Sequence, residues 1–93
     1  MTVHCIRYAP RPADDCLSLP IDLRDGDAVV LIEDGVQWLR LPATLIPLIE
    51  SGLTVSALED DCVARNVPIT DVPRISMADL VELCASHDKT ISW

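Results

Sequence analysis

Ala28-Val29-Val30-Leu31-Ile32 is the run on which the fold turns. Consecutive aliphatic residues with no polar alternation describe a strand covered on both faces, as in a parallel sheet flanked by helices. Ahead of it, Asp25-Gly26-Asp27 supplies a turn. Behind it, Glu33-Asp34-Gly35-Val36-Gln37-Trp38-Leu39 satisfies two local rules at once. Asp-Gly between apolar runs is a hairpin signal, and the same glycine serves a strand-to-helix turn.

On the N-terminal side, Thr2 to Tyr8 alternates Val3, Cys5 and Arg7 with His4, Ile6 and Tyr8, and Pro10 and Pro12 close it as a strand. Ala13 to Leu19 reads as a short helix with Asp14 near its cap and Pro20 as its stop, which puts Cys16 in the first turn. On the C-terminal side, Thr44 caps a predicted helix over Leu45 to Ser51, with Pro47 in its first turn and Gly52 as its left-handed stop. Leu53 to Leu58 reads as a strand, followed by a helix with an acidic first turn, Glu59-Asp60-Asp61, and Asn66 at its end. Pro68 and Pro73 bracket an extended piece around Ile69 and Thr70. Ser76-Met77-Ala78-Asp79 is a capping-box pattern opening a helix whose stripe is Met77, Leu80, Val81, Cys84 and His87, and Lys89 to Trp93 forms a last strand. Strands alternating with helices at this pitch predict a small α/β domain, 1–93, with a mainly parallel sheet. Its candidate sites are the loops after Tyr8, Ile32 and Leu58, at the carboxyl ends of strands.

Composition narrows the function classes. Leu, Val and Ile make up 29 of the 93 residues, enough for a folded core, although only Tyr8, Trp38 and Trp93 are aromatic. Fifteen acidic against seven basic side chains give a formal net charge of -8, and Lys89 is the only lysine. Direct binding to nucleic acid or to an anionic membrane is not expected of such a chain. The N-terminal residues hold no apolar stretch resembling an export signal, and no run is long enough to span a bilayer, so a cytoplasmic protein is expected.

Chemistry is confined to thiols. There is no G-x-G-x-x-G, P-loop, H-E-x-x-H or G-x-S-x-G, and Cys5, Cys16, Cys62 and Cys84 show no zinc-site spacing, so neither a metal nor a cofactor is expected. Cys16 is the candidate catalytic residue: its place in a first helical turn favours a thiolate, while Asp14 and Asp15 oppose one. Cys62 follows three acids and reads as filler. Cys5 and Cys84 read as small buried hydrophobes, and His87 as a helix-end residue facing the dipole.

The strand-E-D-G-V element at 28–36, the stretch Val55-Ser56-Ala57-Leu58-Glu59-Asp60-Asp61-Cys62-Val63-Ala64-Arg65 and the ending at Trp93 together resemble the DsrH/TusB family. His4 in the opening strand and the stretch from Asp79 to His87 fit the same pattern. The resemblance spans nearly the whole chain. It implies a three-layer α/β fold like that of DsrE- and DsrF-like subunits. It further implies a heterohexamer with DsrE/TusD-like and DsrF/TusC-like partners that passes persulfide sulfur to a DsrC/TusE-like carrier. One branch serves 2-thiolation of the tRNA wobble uridine, the other cytoplasmic sulfur oxidation, and the sequence leaves both open. DsrE-like subunits carry their sulfur-accepting cysteine near the start of the helix after the third strand, where this chain has Ala57-Leu58-Glu59-Asp60-Asp61. The resemblance therefore assigns the main relay thiol to a partner, with Cys16 matching the first-helix cysteine of DsrH-like members. The alternatives are a stand-alone small sulfurtransferase using Cys16, or a homo-oligomeric binding module.

Overall fold

The structure, a computed structural model, describes residues 1–9, 23–24, 26–68 and 70–93. Among these residues five strands are formed: β1 (Thr2–Ile6), β2 (Ala28–Leu31), β3 (Thr54–Leu58), β4 (Arg74–Ile75) and β5 (Lys89–Ser92). They make one sheet in the order β4-β3-β2-β1-β5, with every pairing parallel. The expected α/β sandwich is what forms. All four residues of β2 are buried, as its unbroken aliphatic run requires.

The two faces of the sheet carry separate cores. Ile6, Val29, Leu31, Val55 and Ala57 point to one side, where they meet the 3-10 helix Glu33–Arg40, α1 (Pro42–Glu50) and α2 (Glu59–Ala64) through Val36, Trp38, Leu39, Leu45 and Cys62. Val3, Cys5, Ala28, Val30 and Leu58 point to the other, where α3 (Met77–Ser86) covers them with Leu80, Leu83 and Cys84. Helical layers thus lie on both faces of the sheet. Trp38 is fully buried, its indole N–H donating to the Tyr8 carbonyl at 2.8 Å, so this tryptophan completes the chain's own core.

The ambiguity after β2 resolves toward the helix. Ile32 N–H bonds the Ile6 carbonyl, and Gly35 then packs so tightly over β1 that a Cβ there would be driven into the Ile6 carbonyl oxygen. A hairpin would instead carry the chain away from β1, and no hairpin forms here.

One helix begins elsewhere than the sequence suggests. The helix expected from Leu45 starts three residues earlier, with Pro42 in its first turn, where the missing N–H has no intrahelical role; Pro47 therefore lies inside the helix. The extended piece expected around Ile69 and Thr70 lies partly outside the described residues, and a short strand forms at Arg74–Ile75, after Pro73. Pro73 contributes only its carbonyl, which accepts from Ala57 N–H at 3.0 Å and starts the pairing.

Helix ends follow their signals. Gly52, at φ +86°, closes α1 with bonds from its own N–H to Ile49 and from Leu53 to Leu48. Asn66, at φ +54°, does the same for α2, with Val67 N–H bonding Cys62 and its own N–H bonding Val63. Ser76 and Asp79 form the complete capping box of α3. On that helix only Leu80 is buried, while Met77 and Val81 face outward, so the packed stripe runs through Leu80, Leu83 and Cys84.

Candidate functional site

The strand ends after Ile32 and Leu58 lie side by side at the carboxyl edge of β2 and β3. Glu33 adopts a left-handed φ of +50°, and its N–H donates to the Asp61 carboxylate at 2.7 Å. Arg65 bridges Asp34 at 2.9 Å and Asp61 at 3.5 Å, and the bond to Asp34 raises the guanidinium's pKa further. Arg74 reaches Glu59 at 3.6 Å and bonds the Val67 carbonyl at 2.8 Å. Arg40 caps the far end of α2 through the Arg65 and Asn66 carbonyls, both at 3.3 Å. This edge carries a cluster of acidic side chains bridged by two arginines.

Among the described residues, no exposed thiol stands there. Cys62 is fully buried one turn into α2; burial pushes its pKa up, and Glu59 and Asp61 push the same way against Arg74. A thiolate here would have to form in a dry pocket beside two carboxylates, which opposes nucleophilic chemistry. Cys5 is buried on the opposite face, its pKa raised first by burial and next by the neighbouring Cys84 thiol. Cys84 is half-buried on α3. Cys16, the residue singled out from the sequence, lies outside the described residues, as does the predicted helix around it. Among the described residues, no group of three or more His, Cys, Asp or Glu side chains is placed to hold a metal.

A second constellation escaped the sequence reading. His4, Ile91 and Trp93 share one face where β1 pairs with β5, and Asp27 enters the same face from the turn before β2. His4 is 3% exposed, and its Nε2 lies 2.9 Å from the Asp27 carboxylate. The Trp93 indole N–H donates to His4 Nδ1 at 3.1 Å, with the two rings stacked 6.1 Å apart. An indole can only donate, so Nδ1 must be the bare nitrogen, and Nε2 then carries the hydrogen that Asp27 receives. The Asp27 carboxylate also takes N–H bonds from Thr2 at 2.9 Å and Arg24 at 3.2 Å. Its pKa falls to about 2, chiefly through the His4 hydrogen bond and then the two backbone amides, against the opposing pull of burial.

These residues line a cleft of about 310 Å³ with Arg24 and Lys89 at its rim. The imidazole has both nitrogens committed and the carboxylate is fully engaged, so the cluster is built to hold. It fastens the last strand and the turn before β2 onto β1. Trp93, 38% exposed, keeps one ring face toward solvent. His87 ends α3 with Nδ1 2.9 Å from the Leu83 carbonyl, the helix-terminal role read for it.

A five-stranded parallel sheet with helices on both faces is the α/β sandwich that the DsrH/TusB resemblance implies. The comparisons agree: the family described as DsrH like protein matches residues 10–90. The chain is 30% identical to protein TusB of Enterobacter sp. (strain 638), over 98% of this chain and 99% of that protein. It is also 30% identical to protein TusB of Pectobacterium carotovorum subsp. carotovorum (strain PC1) and of Pectobacterium atrosepticum, with the same coverage. The chain belongs to the DsrH family.

Proposed function

We propose that this chain is an accessory subunit of a cytoplasmic sulfur-relay complex, assembling with DsrE/TusD-like and DsrF/TusC-like subunits that carry the principal relay thiol. One observation carries the reading. At the start of α2, where a sulfur-accepting cysteine would stand, the chain has Glu59-Asp60-Asp61, and the nearest thiol, Cys62, is sealed in the core. A fold that keeps the sheet and helices of a relay subunit while placing ion pairs at this strand edge serves assembly better than chemistry. The TusB relatives favour the branch leading to tRNA 2-thiolation through a TusE-like carrier. The first-helix Cys16 favours the sulfur-oxidation branch with its DsrC-like carrier.

The test is intact-mass analysis of the chain, alone and co-expressed with DsrE- and DsrF-like subunits, after incubation with a persulfide donor. Sulfur gained only by a partner subunit supports the accessory role. One sulfur atom gained by the isolated chain and lost in Cys16→Ser would overturn it in favour of a stand-alone sulfurtransferase. Loss of tRNA 2-thiouridine on deletion of the gene marks the thiolation branch; unchanged 2-thiouridine with impaired sulfur oxidation marks the other.

A further inference from the structure

The α1 helix is apolar on nearly every side. Pro42-Ala43-Thr44-Leu45-Ile46-Pro47-Leu48-Ile49-Glu50 contains one charged residue, at its last position. A surface helix of a soluble protein ordinarily turns a polar face to water, and one that is apolar all round is ordinarily buried. Leu45 and Leu48 account for the inward face, packing against the core beneath. Ile46 and Ile49, one turn apart, are 48% and 44% exposed.

Between this outer face and the segment leading to β4 lies an open groove of about 490 Å³. Its floor is Leu39, Leu45 and Val72, all buried; Ile46 and Ile49 form a wall, and Glu50, Thr70 and Asp71 form the rest of its border. Among the described residues, the charged side chains lining the groove, Glu50 and Asp71, are both negative and no cation lines it. The groove flanks the β4 side of the sheet, whereas the His4 cluster lies on the β5 side.

We propose that this groove is the seat of a different protein chain, one that inserts an aliphatic or aromatic side chain flanked by Lys or Arg. The inference rests on the subunit reading above and adds the face and the chemistry of the partner. A second copy of this chain fits poorly, because a symmetric contact would bring Glu50 and Asp71 of two molecules together in a protein whose formal charge is already -8. A partner with basic side chains around an apolar anchor satisfies both features, since the anchor removes Ile46 and Ile49 from water and the cations meet the rim.

The experiment co-expresses this chain with its DsrE-like and DsrF-like subunits and follows assembly by native mass spectrometry and sedimentation. Three forms are compared: wild type, Ile46→Lys/Ile49→Lys and Glu50→Lys/Asp71→Lys. All four positions are surface-exposed, and circular dichroism of the isolated variants verifies the fold. The isoleucine pair should weaken assembly by about a hundredfold or more, and the acid pair by about tenfold, the sizes expected for buried anchors and rim charges. Wild-type assembly should weaken between low and high salt, and that dependence should shrink in the acid variant. Assembly unchanged in both variants overturns the inference and leaves the subunit reading standing. Failure of wild type to assemble at all overturns both. A wild-type homodimer abolished by Ile46→Lys/Ile49→Lys, or a small apolar molecule retained by wild type and lost in that variant, would give the groove a different occupant and overturn the inference.

Discussion

Replacing Asp27 by Asn tests whether the buried His4 cluster acts as a fastening. The carboxylate accepts from three donors: Thr2 N–H through one oxygen, His4 Nε2–H and Arg24 N–H through the other. An amide keeps one acceptor and makes the other a donor. Pointed one way, its NH2 meets Thr2 N–H; pointed the other way, it meets His4 Nε2–H. Switching the imidazole tautomer only moves the conflict, because Nδ1–H would then face the Trp93 indole N–H. Every arrangement strands a buried donor, at a cost of about 1–3 kcal/mol. The lost charge acts through the same hydrogen bonds, so its contribution overlaps with this cost. A folded-state pKa of about 2 against the ordinary 3.8 corresponds to stabilisation on the order of 2 kcal/mol. Because the folded pKa is the lower one, this contribution is complete above pH 3.8 and is lost as the pH falls toward 2. Urea unfolding at a series of pH values should show Asp27→Asn about 2–4 kcal/mol less stable than wild type at pH 7, with the gap closing between pH 4 and 2. A variant within about 0.5 kcal/mol of wild type at pH 7, or a gap that persists unchanged at pH 2, would refute the argument.

Two glycines give opposite tests of steric and conformational cost. Gly35→Ala should destabilise by about 3 kcal/mol or more, because its Cβ would meet the backbone of β1, which cannot yield without disturbing the sheet. Gly52→Ala has open space around it but sits at φ +86°, so about 1 kcal/mol is expected; denaturation midpoints giving the reverse order would contradict the packing at Gly35. In thiol labelling of the native chain, Cys5 and Cys62 should react at least about a hundredfold more slowly than in denaturant, and Cys84 faster than either. Rapid modification of Cys62 would mean that the core beneath α2 opens to solvent.

What was legible in the sequence was what local chemistry decides. The aliphatic run at Ala28 admits one reading, and the stops at Gly52 and Asn66 and the capping box at Ser76 are set by residues within a few positions of one another. The Asp34-Gly35 step was ambiguous because both turns are locally sound, and only the approach of Gly35 to the Ile6 carbonyl, from a strand thirty residues earlier in the chain, selects one. Thr44 drew the start of α1 too far along because it is a good cap, although Pro42 marks a helix start equally well. The strand Arg74–Ile75 is too short to leave a pattern. The His4 cluster joins positions 4, 27 and 93, which no local rule connects. One signal was present: His4 shares a strand face with Ile6 and should therefore be interior, and a buried imidazole needs partners. Cys16 was singled out by its place in the first turn of a predicted helix, which lies outside the described residues.

The register Thr2 to Lys89 and His4 to Ile91 gives β1 two neighbours, both made later than itself. For a chain leaving the ribosome amino end first, the earliest strand is among the last to be satisfied: one row of its backbone groups waits for β2 and the other for residues near position 90. Until then Val3 and Ile6 border an open edge, the kind of surface on which nascent chains aggregate or recruit holding chaperones. Completion of the sheet therefore waits for β5, and its rate should be limited by closing the long loop between β1 and β5 rather than by forming the helices.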